Sequence, residues 1–158
     1  LAVFHMIDGR SDEAKRIVDE HVKEKRSLHI YKSLGAGFDG ECTAAVGWLD
    51  SVSAIPGRYL MSVRFQAAMC YYNNGEHNGA VDQLRMIVDL PMYSIDNAVV
   101  IPKSFYRLGK SYEELGQATL ALENYKRFLE IWKDADEDQA DLIDAKARVA
   151  ALTAAGSM

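Results

Sequence analysis

The side chains that usually do chemistry in proteins are all present in this chain, but its spacing does not bring them together. The four histidines, His5, His21, His29 and His77, fall one to a segment, whereas acid–base or metal chemistry needs several titratable groups converging on one point. There is no HExxH, no nucleophile elbow and no phosphate-binding glycine loop. Gly35-Ala36-Gly37 has the glycines of a nucleotide loop without the preceding strand or the Lys-Ser/Thr ending that reaches phosphate and magnesium. Cys42 and Cys70 lie 28 residues apart, which is neither a CxxC nor a zinc spacing. They read as two small buried hydrophobes rather than as metal ligands or a redox pair. Carboxylate pairs such as Asp12-Glu13 and Glu113-Glu114 read as solvated helix faces. The expectation is a protein that is not an enzyme, with no catalytic, metal-binding or cofactor-binding residues and no cofactor.

Bulk composition narrows the class further. A chain of 158 residues that is 49% hydrophobic and 26% charged can bury one core, is too apolar for disorder, and is too interrupted by charge for a membrane span. A formal charge of -5 speaks against a nucleic-acid binder, since phosphate backbones are met by clustered Lys and Arg. The chain opens at Leu1 in what reads as the middle of a helix, so further sequence is expected before it. The cytoplasm is the favoured compartment on this reading.

The elements that must position any functional surface come from a repeat. A Gly followed five residues later by Ala occurs at Gly9/Ala14, Gly40/Ala45, Gly75/Ala80 and Gly116/Ala121, with the glycines spaced by 31, 35 and 41 residues. Chance would place roughly one or two such pairs in a chain of this composition, without order. Small residues and an aromatic precede three of the glycines: Leu34-Gly35 with Phe38, Ala67-Ala68 with Tyr71, and Leu108-Gly109 with Tyr112. Each glycine sits between two amphipathic segments, where a left-handed helix cap would turn the chain back. The unit is therefore a helical hairpin, predicted at 1–24, 25–54, 57–91 and 101–134. Because Phe38 runs almost directly into Asp39-Gly40, the second hairpin is expected to be about two residues short at its turn. Pro91 is expected to end one helix and Pro102 to lie near the start of the next, leaving a long connection at 91–102. After the acidic turn Lys133–Asp138, Leu142, Ala145, Val149 and Leu152 recur at helical spacing and predict a capping helix at 137–155.

These residues resemble the tetratricopeptide repeat (TPR), most clearly at Phe105, Leu108, Gly109, Tyr112, Gly116, Ala121, Tyr125 and Phe128. The resemblance covers nearly the whole chain and implies an all-α fold: a right-handed superhelical stack of antiparallel helix hairpins closed by the C-terminal helix, forming one domain over 1–158. Gly109 and Ala121 would be small where the two helices of a hairpin approach, with Tyr112 and Tyr125 filling the space between hairpins.

In this family the first helix of each hairpin lines a concave groove that holds a partner. Carried over by position, the groove would consist of His29, Lys32 and Ala36 from the second hairpin, then Phe65, Gln66, Met69, Tyr72 and Asn73 from the third. Lys103, Tyr106, Arg107, Lys110 and Glu113 complete it from the fourth. Such a face suits a protein or peptide with hydrophobic anchors and some acidic residues. The Lys/Asn clamp by which some family members hold chaperone tails is not reproduced, because Lys32 is followed by Ala36 and Phe65 by Met69. The implied function is a non-catalytic protein-interaction scaffold. The alternative is a structural or regulatory arm of a larger bacterial signalling protein or transcription regulator, with an open N-terminal end through which two copies would pair.

Overall fold

Three glycines organise the backbone. The computed structural model describes residues 16, 17, 20, 30, 32–34, 36, 37, 39–50, 59–89, 99–136 and 139–156. Among these, Gly40, Gly75 and Gly116 adopt positive φ, at 80°, 77° and 70°. At each the same two hydrogen bonds close the preceding helix. The amide after the glycine reaches back to the carbonyl of Ala36, Tyr71 or Tyr112 at 2.8, 2.9 and 2.8 Å, and the glycine amide itself reaches Gly37, Tyr72 or Glu113 at 3.3, 3.0 and 2.9 Å. This is the Schellman arrangement, which needs a residue at ease in the left-handed region. Five residues on, Ala45, Ala80 and Ala121 are all fully buried. The Gly-x4-Ala signal is thus a helix cap followed by the first close contact of the next helix.

Counting from these glycines corrects the expected register of the second hairpin. Its turn is not shortened, since it makes the same bonds as the other two. The place taken by Tyr71 and Tyr112 is simply occupied by Ala36, and the small-residue place of Ala68 and Gly109 by Ser33, which is 2% exposed. Ser33 donates its hydroxyl to the Ala45 carbonyl at 2.6 Å, so a polar residue is tolerated in this close contact because its one donor is used. Gly9, Ala14, His29, Phe38, Pro91 with the rest of Leu90–Ala98, and Glu137-Asp138 lie outside the described residues.

The chain divides into two compact units, Leu1–Glu76 and His77–Met158. The first contains α1, Cys42–Asp50, and α2, Tyr59–Asn73, together with helical residues between Ile30 and Gly37. Its core is built from small pieces. Ala36, Ala45 and Ala67 pack with Val46, while Leu49 and Val63 pack with Ile30 and Leu34. Arg64 adds an ion pair to Asp50 at 2.9 Å.

The two cysteines, expected as separate apolar residues, are joined: Cys42 and Cys70 form a disulfide with Cα atoms 5.6 Å apart. The expectation failed for a physical reason. Cys42 begins the second helix of one hairpin and Cys70 lies late in the first helix of the next, so only the packing of successive hairpins brings them together.

The second unit contains α3, His77–Val88; α4, Val100–Glu114; α5, Ala118–Ile131; and α6, Ala140–Ala155. α4 packs against α3 and α5, and α5 against α6. Leu84, Ile87, Ile101, Leu108, Tyr125 and Phe128 are fully or almost fully buried. Pro102 falls in the first turn of α4, where a missing amide costs nothing. Buried Ser104 and Ser111 return their hydroxyls to the carbonyls of Val100 and Arg107 at 2.8 and 2.9 Å. Along α6, Leu142 and Ala145 are buried while Val149 and Leu152 are half-buried. Asp141 in its first turn suits the positive end of the helix dipole. The fold is all-helical among the described residues, and none of their helices is long and apolar enough to cross a membrane.

Candidate partner-binding surface

In the first unit, a cleft of about 160 Å³ lies against α2, lined by Leu34, Gly37, Gln66, Met69, Cys70 and Asn73. Gln66, Met69 and Asn73 are three of the expected groove residues, and α2 presents them together because they recur at helical spacing. Gln66 and Asn73 are exposed and Met69 is half-buried. A thioether floor between two amides can take an apolar side chain while the amides bond a peptide backbone.

Leu34 and Gly37 form the opposite wall in place of the expected Lys32 and Ala36. Counted back from their glycines, Leu34 stands where Met69 does and Gly37 where Tyr72 does. The two-residue register error therefore explains the miss, and counting from Gly40 rather than from Phe38 finds them. Ala36 is buried, and the Lys32 ammonium lies 4.8 Å from the ring centre of Trp48. Phe65 and Tyr72, also expected in the groove, are half-buried on α2 and do not line this cleft.

In the second unit four of the five expected residues of α4, Lys103, Tyr106, Lys110 and Glu113, meet α6. Tyr106, expected on the open face, is 5% exposed. Its hydroxyl donates to Asp144 at 2.7 Å, and its ring packs 5.4 Å from that of Phe128. Glu113 accepts from Arg148 at 2.7 Å and from the Tyr125 hydroxyl. Arg148 also donates its Nε to Asp144 at 2.7 Å. Lys110 approaches Asp144 at 3.8 Å and Lys103 approaches Asp141 at 4.0 Å. Arg107 lies over the Tyr106 ring at 5.5 Å. The acidic complement anticipated from a partner is in this unit supplied internally by α6.

Protonation follows from these contacts. Burial, reinforced by the bonds to Asp144 and Glu113, pushes the Tyr106 and Tyr125 phenols well above their usual range, so both stay neutral donors. Burial would raise the Asp144 carboxyl, but the hydrogen bonds from Arg148 and Tyr106 and the charges of Arg148 and Lys110 outweigh it and hold it low. The hydrogen bond to Asp144 raises Arg148 further still. These shifts fix Tyr106 and Tyr125 as neutral donors, Asp144 as an acceptor and Arg148 as a cation, so the four act as a clasp. Asp141, Asp144 and Arg148 carry no mark in the sequence of what they pair with, since their spacing fits a solvated helix face equally well.

A second cleft in this unit, about 340 Å³, is lined by Phe105, Glu123, Asn124, Lys126, Arg127 and Glu130 and contains none of the expected residues. Among the described residues no group of three or more His, Cys, Asp or Glu is placed to hold a metal.

Comparison with known proteins agrees with this architecture. Among curated proteins none matches the chain. Two crystal structures of nearly identical TPR-like repeats assigned to a kinesin light chain from Podosopora anserina, one of them a single-substitution variant, superimpose with a TM-score of 0.65 at 15% identity. Each match covers 99% of this chain and 84% of the other, and at that identity the likeness is one of fold. The tetratricopeptide repeat model matches residues 62–90 and 103–135, the stretches holding the Gly75 and Gly116 turns. The tetratricopeptide repeat signature is thus carried by these two stretches, and the likeness of fold to TPR-like repeats extends over 99% of the chain.

Proposed function

We propose that the chain is a non-catalytic scaffold that holds a partner protein or peptide in the cleft beside α2. The observation that carries this reading is the convergence of Gln66, Met69 and Asn73 with Leu34 and Gly37 on one recess. Protein interaction is the general role of this repeat, and the recess has the chemistry for it: an apolar floor to anchor one side chain and two amides able to pair with the main chain on either side. On α4 the corresponding face is engaged by α6, so the first unit is the place to look for the partner.

The test uses a photo-crosslinking residue placed at Met69 or Asn73, with Lys126 on α5 as the control, in extract from the source cells. A partner crosslinked from positions 69 and 73 but not from 126, and lost from position 69 when Gln66 and Asn73 are both replaced by alanine, supports the cleft. Equal labelling from all three positions removes it as the binding surface.

A further inference from the structure

We propose that the Cys42–Cys70 disulfide is an exchangeable one: a small dithiol attacks Cys70 through the cleft beside α2, and Cys42 departs as the thiolate. Two independent observations assign the roles. Cys70 is the cysteine that lines the cleft, between Met69 and Asn73, and at 6% exposed against 3% for Cys42 it is the less buried of the two. Cys42 is the first residue of α1, where the helix dipole favours a negative sulfur. The Asn74 side-chain amide donates to that same sulfur at 3.3 Å, held in place by a second bond from its nitrogen to the Gly40 carbonyl at 3.1 Å. A thiolate stabilised in these two ways is the better leaving group, and exchange is faster when the departing thiol has the lower pKa.

The exchange is balanced. The dithiol's thiolate forms a bond to the Cys70 sulfur as the Cys42–Cys70 bond breaks, and Cys42 leaves with the electron pair and then equilibrates with solvent protons. The second thiol of the reagent, as its thiolate, attacks the reagent sulfur of the mixed disulfide. Cys70 is released, and the reagent is oxidised by two electrons to its own disulfide. The consequence is structural. Once the crosslink is open, α1 is held to α2 by a core of small side chains, Ala36, Ala45 and Ala67 with Leu49 and Val63, and one wall-forming residue of the cleft becomes a free thiol. The packing of the first unit then answers to the thiol balance around the protein.

The experiment uses the oxidised wild-type chain under native conditions. Limiting reduced glutathione, a monothiol that leaves the mixed disulfide in place, is followed by alkylation and peptide mapping. The expected adduct is on Cys70, with Cys42 alkylated, by about ten-fold over the reverse. Dithiothreitol should then free both cysteines without urea, and Asn74→Ala should slow that native reduction several-fold while leaving the urea-unfolded rate unchanged. An adduct mainly on Cys42, or a native rate indifferent to Asn74→Ala, overturns the assignment of roles. A bond that dithiothreitol opens only in urea overturns exchange in the folded protein, and two free thiols in protein purified without reductant overturn the crosslink itself.

Discussion

A methyl group added at Gly109 would stand 2.6 Å from Cε1 of Tyr125, well inside contact distance. Two effects oppose each other there. Alanine in a helix gains about 1 kcal/mol over glycine, whereas overpacking a tight core costs about 1–3 kcal/mol. The ring has little room to yield, since Tyr106 lies 6.0 Å away and the Tyr125 hydroxyl is tied to Glu113. Gly109→Ala is therefore expected to lower stability by about 1 kcal/mol net, read as a lower urea midpoint at unchanged slope; a raised midpoint would show that the ring gives way. The contact also refines what the repeat pattern implied. Gly109 was legible as a close-approach position, but Tyr125 fills the space inside its own hairpin rather than between hairpins. Residue types announce that something must be small or large, and only packing pairs them.

At the level of the element, α6 is attached by charge as much as by apolar contact. Arg148 bridges Glu113 and Asp144, with side chains 31%, 22% and 36% exposed. This partial exposure to water keeps the worth of Arg148→Ala to about 1–2 kcal/mol. The loss should appear as faster amide exchange along α6, and unchanged exchange there would mean that Leu142 and Ala145 alone hold the helix. Asp144 also sets a pH dependence. Its folded pKa is depressed, so its contribution is complete above the unfolded aspartate value of about 4 and is lost as pH falls through the lower folded value. Circular dichroism between pH 5 and pH 2 should show α6 loosening only at the acid end, and Asp144→Asn should flatten that part of the profile. A transition centred near neutral pH would point to another group. The capping helix itself was legible from the recurrence of Leu142, Ala145, Val149 and Leu152; its polar clasp was not, because charged residues on a helix carry no sign of what faces them.

For the molecule as a whole, the two compact units predict local responses to local changes, as in repeat proteins whose stability is a sum of neighbouring terms. The disulfide closes a loop with a sequence separation of 28. Replacing both cysteines by serine should cost about 3.5 kcal/mol, and hydrogen exchange should report that loss in α1 and α2. Loss confined to α6 instead would refute the placement of the crosslink.

Fold class and the turns at Gly40, Gly75 and Gly116 were legible in the sequence, since a left-handed cap needs glycine and a close helix contact needs alanine, and both leave marks at fixed spacing. Three of the residues that meet in the cleft were legible as well, because one helix carries them at helical intervals. The opposite wall of Leu34 and Gly37, the pairing of Cys42 with Cys70, and the engagement of Tyr106 and Glu113 by α6 came only from tertiary structure. Each joins residues on different helices, and the register between helices is set by how side chains interlock, a three-dimensional fit that spacing along one chain does not record.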